Sequence, residues 1–337
     1  MTGRPGAPDG TGPASTGLKL DVDGAVATVT LHRPERRNAM TPSMWRGLAT
    51  IGDSLPPQVR AVVVRGDGPS FSAGIDLRLF TPDGVPGEDP LADPLSPGFG
   101  EWLAGLQAGF LWLHRPDIVS VAAVRGHALG AGFQLALACD LRVLADDAVL
   151  CMKEPTFGLV PDLAGTKPLV DIVGLPRAIE MCLTTRMVGA AEARELRLAE
   201  AVVPAADLDA AVADLVAALL THDAATVSAT KKLLAGAPGR TLEEQAAAER
   251  AAQAELQRER RSASPRRLPR GSGHRAGPVI LATGPGGARA AVPAVPARRP
   301  ARGAFAAGGR ANGPRREEFA AGRRFPHACT VRGRACR

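Results

Sequence analysis

The sequence predicts an α/β core followed by a helical C-terminal region. Three observations carry this. Short apolar segments of strand character recur up to about residue 152. Helical periodicity separates them, and from Thr166 to about Arg260 the pattern becomes almost wholly helical. The chain has 337 residues, room for two ordinary domains or one large one. Apolar residues make up 45% of it, enough to bury a sizeable core.

The elements read as follows. Leu18–Gly24 and Ala25–Leu31 flank Asp23-Gly24, a hairpin signal. Thr41-Pro42 supplies an N-cap followed by proline at the first helical position, and Met44, Leu48, Ile51 and Leu55 then repeat at helical spacing. Val59–Arg65 is a strand with a buried middle. Residues 81–98 form a long, acidic, proline-rich loop of the kind used as a lid or a disordered insertion. Phe99, Leu103, Leu106, Phe110 and Leu113 mark one helix face, which reads first as core and can double as an acyl pocket. Ile118–Val124 is a strand, His127–Gly132 a glycine-punctuated turn, and Phe133–Ala138 a helix. Leu141–Leu144 and Val149–Met152 are further strands. The helical remainder breaks at Gly174-Leu-Pro176 and at a strand-like Ala201–Val203.

This divides the chain into a disordered leader (1–17), a core (18–200), a C-terminal helical region (201–260) and a disordered tail (261–337). The net charge of +7 is unevenly spread. The tail holds 17 Arg, no Lys and 2 Glu, a net of +15, which leaves −8 for residues 1–260. Gly and Pro supply 21 of its 77 residues and Leu, Ile and Val only seven, too few to offset the entropy of ordering. Out-of-frame translation of GC-rich DNA gives the same bias and is the favoured origin; resequencing around codons 255–265 tests it. Nucleic-acid binding would rest on the tail alone and is not expected, since the tail's aromatics are three Phe.

No apolar run reaches the eighteen or so residues of a membrane span, and the leader lacks the apolar stretch of a secretory signal. Cys139, Cys151, Cys182, Cys329 and Cys336 form no C-x-x-C pair, which fits a reducing cytoplasm. The histidines show no metal-ligand spacing, so no metal is expected. His127, although beside a glycine turn, reads as structural.

Two turns stand out as candidate chemistry. Phe71-Ser-Ala-Gly-Ile-Asp-Leu77 and Ala128-Leu-Gly-Ala-Gly-Phe-Gln134 each follow a strand with small residues and an apparent helix start. A helix start leaves N–H groups unpaired, and small side chains admit a carbonyl close to them. Two such turns converging make an oxyanion hole; either alone is ordinary turn chemistry. Gly130-Ala131-Gly132 lacks the spacing of a dinucleotide fingerprint. Glu154 follows a strand, and Asp162 lies eight residues on in a Pro/Gly loop. They read as surface acids or as carboxylates facing a thioester to move protons.

These segments resemble family patterns. Phe71–Leu77 is similar to F-x-A-G-x-D-L, Gly126–Asp140 to G-x-A-x-G-x-G-x-x-L-x-x-x-C-D, and His32–Met40 to R-P-x-x-x-N-A-M. Together, from about Leu18 to Arg258, they resemble the crotonase superfamily, or enoyl-CoA hydratase/isomerase family. The resemblance implies a spiral of ββα units with a helical C-terminal region, assembled as a trimer or hexamer. It implies an acyl-CoA thioester as substrate, with coenzyme A part of that substrate and no separate cofactor. Carried across, the enolate-stabilising donors are Ala73 and Ala131, and Ala73, Gly74, Ile75 and Asp76 lie beside the CoA adenine end. Arg36 or Arg37 could meet CoA phosphates, with a solvated arginine the blander reading.

The family's two acid/base positions fall on Gln134 and Glu154. Hydratases of the family have Glu at both, and an amide cannot take a proton from water. The departure favours double-bond isomerisation by Glu154 with Asp162, Gln134 at most positioning water. Hydration of a 2-enoyl-CoA is the nearest alternative. The other is a non-catalytic acyl-CoA-binding or inactive product, because the resemblance fades after Gln257 and the Arg-rich tail replaces the usual ending.

Overall fold

The hairpin closes where Asp23-Gly24 predicts. In the computed structural model, which describes residues 17–263, β1 (Leu18–Asp23) and β2 (Val26–Leu31) pair antiparallel with Asp23 opposite Val26, and Gly24 turns at φ +56°. Thr41 caps α1 (Pro42–Ser54): its hydroxyl accepts the Met44 N–H at 3.4 Å. There follow β3 (Ala61–Gly66), α2 (Phe99–Leu111), β4 (Val119–Val124), β5 (His127–Leu129), α3 (Ala131–Ala138), β6 (Leu141–Ala145) and β7 (Val149–Cys151). The C-terminal part is α4 (Thr166–Val173), α5 (Leu175–Thr184), β8 (Val188–Gly189), α6 (Ala190–Glu195), β9 (Ala201–Val203), α7 (Leu208–Leu219), α8 (Ala224–Gly236) and α9 (Leu242–Ala263).

Six strands form the main sheet in the order β1-β2-β3-β4-β6-β9, parallel throughout except β1–β2. A smaller layer runs β5-β7-β8, and single parallel bridges at Met40–Ile75 and Ser72–Ala128 extend it. The ββα repeat is visible in this pairing. Each unit contributes a main-sheet strand, a short strand or lone bridge in the second layer, then a helix: β2–Met40–α1, β3–Ser72–α2, β4–β5–α3 and β6–β7–α4. The second-layer segments therefore lie side by side, which brings the ends of successive units to one place.

Both faces of the main sheet are covered, so its parallel strands are apolar on both sides. Val62 and Val64 of β3 join the large core beneath α1, α2 and α3, while Ala61 and Val63 face Leu208, Val212 and Val216 of α7. Among the described residues no single helix is long and apolar enough to cross a membrane.

The structure corrects several sequence expectations. Residues 127–129 are a strand rather than a turn, because Ala128 and Leu129 find partners in β7, and α3 begins at Ala131 instead of Phe133. The two-residue β8 had no readable signal. The 81–98 loop is largely exposed and anchored at two points: Val85 is buried, and the Glu88 carboxylate accepts the Ser43 N–H at 3.1 Å. The final helix runs on to Ala263, past the expected boundary at 260. The expected leader and basic tail, with the reading-frame question, otherwise lie outside the described residues.

Asp140 of the Cys-Asp pair has an architectural task. Its carboxylate accepts from the Ser120 N–H (2.8 Å) and from Lys231 Nζ of α8 (2.6 Å), while Lys231 also donates to the carbonyls of Arg115 and Ile118 at 2.8 Å. This set ties the C-terminal helices to the core. Replacing Lys231 with Met removes one partner of a largely buried pair and should cost about 2–4 kcal/mol. Thermal unfolding should show a fall of roughly 5–12 °C. Lys167→Ala, which breaks the exposed Lys167–Asp171 pair on α4, should cost under about 0.5 kcal/mol.

Candidate active site

Close approach of two turns builds the site. Gly74 lies at φ +93°, and a Cβ there would stand 2.7 Å from the Leu129 carbonyl oxygen and 3.7 Å from the Ala131 nitrogen. A Cβ on Gly132 would stand 2.7 Å from that of Ser72. Glycine is needed at both positions because the chains touch through backbone. The turns at 71–77 and 128–134 thus converge, as expected. The Ser72 hydroxyl locks the junction, donating to the Asn38 carbonyl (2.8 Å) and accepting the Gly74 N–H (3.1 Å).

The donor expected at Ala73 is corrected. Its N–H is already donated to the Arg37 carbonyl at 2.8 Å. Beyond the Gly74 turn, the Gly74 carbonyl and the Asp76 N–H pair with Met40 at 2.7 and 2.8 Å. The Ile75 N–H between them has no acceptor among the described residues. Ala131, the first residue of α3 after its Gly130 cap, likewise has an N–H without an intrahelical partner. Ile75 and Ala131 both line a cavity of about 660 Å³.

Glu154 and Asp162 line the same cavity; Gln134 does not. Gln134 is fully buried, and its amide is spoken for. Oε1 accepts the N–H groups of Leu163 (2.9 Å) and Gly165 (3.1 Å), and Nε2 donates to Glu154 Oε1 at 2.6 Å. The amide therefore orients the carboxylate and pins the loop that carries Asp162. Glu154 is 8% exposed, and its Oε2 has no hydrogen-bond partner among the described residues. Burial pushes its carboxyl above the ordinary range, against the Gln134 hydrogen bond, which favours the charged form. Burial likewise raises Asp162. The left-handed Gly130 (φ +50°) makes room for Glu154: a Cβ there would meet Oε1 at 3.3 Å.

Asp76, expected beside the CoA adenine end, is not a cavity residue. Its buried carboxylate accepts from Arg78 (2.7 Å) and Arg33 (3.0 Å), and these contacts, Arg78 foremost, lower its pKa to about 2. Arg36 and Arg37 are exposed and do not line the cavity. His127 stands 3.3 Å from Ser70 Oγ, also outside it.

Other site features were not singled out from the sequence. Asn38 is fully buried and donates to the carbonyls of Asp67 (2.9 Å) and Ser70 (2.8 Å), so the Asn-Ala-Met motif braces the first turn. Residues 90–94 wall the cavity; composition alone marked that loop only as polar and proline-rich. Trp45 and Trp102 also line it, with no sequence signal beyond helical spacing.

Comparison with known proteins fits this geometry. Residues 21–267 match the family described as enoyl-CoA hydratase/isomerase. The chain is 35% identical to carnitinyl-CoA dehydratase of Escherichia coli K12, over 65% of this chain and 80% of that one. It is 28% identical to hydroxycinnamoyl-CoA hydratase-lyase of Pseudomonas fluorescens, over 64% and 76%. Among solved structures, a Thermobifida fusca YX protein named as an enoyl-CoA hydratase shares 57% identity at a TM-score of 0.73, covering 75% of this chain and 96% of that one. Structures of that protein in complex with CoA and with acetoacetyl-CoA match at TM-scores of 0.72 and 0.71. The chain belongs to the enoyl-CoA hydratase/isomerase family, the crotonase superfamily.

Proposed function

We propose that the chain isomerises the double bond of an enoyl- or dienoyl-CoA thioester. The observation that carries this reading is the engagement of Gln134: one acid/base position is an amide committed to holding Glu154, and the reading assigns proton exchange with substrate to the buried Glu154 and the half-buried Asp162, two carboxylates that line the cavity. The thioester oxygen accepts from the N–H groups of Ile75 and Ala131. Glu154 removes the proton on the carbon next to the thioester, and its electron pair passes into the carbonyl to form an enolate. Each donor contributes about 3–4 kcal/mol to holding that charge. Return of a proton further along the chain, from Glu154 or from Asp162, moves the double bond with no net change in protons. A carboxyl raised by burial serves both halves, since it takes and gives protons closer to neutral pH. Against a non-catalytic product stands the family match, which reaches residue 267; the Arg-rich tail that motivates that alternative lies outside the described residues.

Glu154→Gln should lower kcat for isomerisation by about a thousandfold or more while acyl-CoA binding survives; near-normal turnover would remove Glu154 from the mechanism. The acid limb of kcat/KM should lie above the ordinary glutamate value of 4.5. The same shift has a sign in stability. The native state holds the Glu154 proton more tightly than the unfolded chain, so this group's contribution falls as pH rises from 4.5 through the raised value, then stays constant. The melting temperature of Glu154→Gln relative to the parent should therefore climb across that window.

Gln134→Glu would face Glu154 Oε1 with a second carboxylate at about the present 2.6 Å. Two carboxylates so close share a proton, so the acid limb should move up further. Hydration of a 2-enoyl-CoA should gain on isomerisation of a 3,5-dienoyl-CoA of the same chain length by about tenfold or more. Fast hydration by the unaltered chain, with no isomerisation, would decide for the hydratase alternative.

A further inference from the structure

Helix α2 places Phe99, Trp102, Leu103 and Leu106 at i, i+3, i+4 and i+7, which is one face. All four line the cavity. The next residue of the stripe, Phe110, turns instead into the core against Trp45, with ring centroids 6.3 Å apart. Phe99 and Trp102 stack at 5.6 Å with planes 28° apart. A helix face of this kind ordinarily packs against protein; here it fronts the 660 Å³ cavity.

A hydrogen bond ties that helix to the loop that bears Asp162. Gln107 of the same helix donates from Nε2 to the Asp162 carbonyl at 2.7 Å. Helix α2 therefore stands beside the loop that bears Asp162, and its Phe99–Leu106 face shares one cavity with the carboxylates of Glu154 and Asp162. That face is aromatic and aliphatic, with no charged side chain of α2 among the cavity residues. Such a surface favours a ligand that replaces water with carbon, and each further carbon of an acyl chain laid on it adds to binding.

We infer that the acyl group is bulky and apolar, a medium or long alkyl chain or an aryl group, held on the Phe99–Leu106 face of α2, and not a short acyl such as crotonyl. The inference rests on the acyl-CoA reading of the site and names the substrate class within it. Burial of one methylene, at about 0.8 kcal/mol, is roughly a fourfold gain in affinity.

Calorimetric titration of the full chain with CoA, butyryl-CoA, octanoyl-CoA and 3-phenylpropanoyl-CoA tests it. None of these thioesters has a double bond to move, so binding is read apart from the reaction. Octanoyl-CoA should bind at least about thirtyfold more tightly than butyryl-CoA, and 3-phenylpropanoyl-CoA at least about tenfold. Leu103→Glu, at a half-buried position on the cavity face, should collapse both ratios towards one while a circular dichroism spectrum and melting curve show the variant folded. Octanoyl- and butyryl-CoA within threefold of each other, or ratios that survive Leu103→Glu, would overturn the inference. A steep chain-length dependence without isomerase activity would uphold it and discard the proposed reaction. No binding of any thioester would discard both.

Discussion

The site depends on a single backbone contact. Gly74 and the Leu129 carbonyl lie so close that no side chain fits between them. That contact sets the Ile75 N–H and the start of α3 beside one another. Neither turn can do this alone, because an isolated N–H in water is solvated and offers little to an oxyanion. Held together by that contact, both N–H groups belong to residues lining one cavity, the arrangement on which the proposed reaction relies when charge develops. Asn38 and the Ser72 hydroxyl exist in the fold to keep the first turn in that position.

The second constraint is the price of a buried carboxylate. Glu154 lies in a largely apolar cavity with one oxygen unpartnered among the described residues, and desolvation favours its neutral form. The Gln134 amide offsets part of that cost through one short hydrogen bond. The orientation of the amide is decided by its other end: two backbone N–H groups from 163 and 165 demand its oxygen, which leaves its NH₂ for Glu154. A carboxylate at 134 would satisfy the loop equally well but would repel Glu154. The choice of amide or acid at this position is therefore a choice about the charge state of its neighbour.

The ββα repeat explains why residues from distant parts of the chain meet. Each unit ends its second-layer segment at the same edge, so the 72–75 segment, Gly130-Ala131 and Glu154 come from three successive units. The C-terminal helices are held by a different device, the Lys231–Asp140 pair and its carbonyl ligands.

By itself the sequence determined the local structure and the cast of residues. The hairpin, the Thr41 cap, the alternation of strands and helices and the two glycine turns follow from propensity and spacing, which act over a few residues. The motifs at 32–40, 71–77 and 126–140 carried the family. The tertiary structure decided directions. Spacing cannot say which N–H points into a cleft, and a left-handed Gly74 moved the free donor from Ala73 to Ile75. Nor can it separate a side chain that faces substrate from one that braces its neighbour: Gln134 proved to be held by partners far away in sequence, and Asp76 by the nearby Arg78 together with the distant Arg33. Whether the α2 stripe packed on protein or fronted a cavity was likewise settled by where α1 and the 90–94 wall ended, a matter of packing between elements and not of the helix's own pattern.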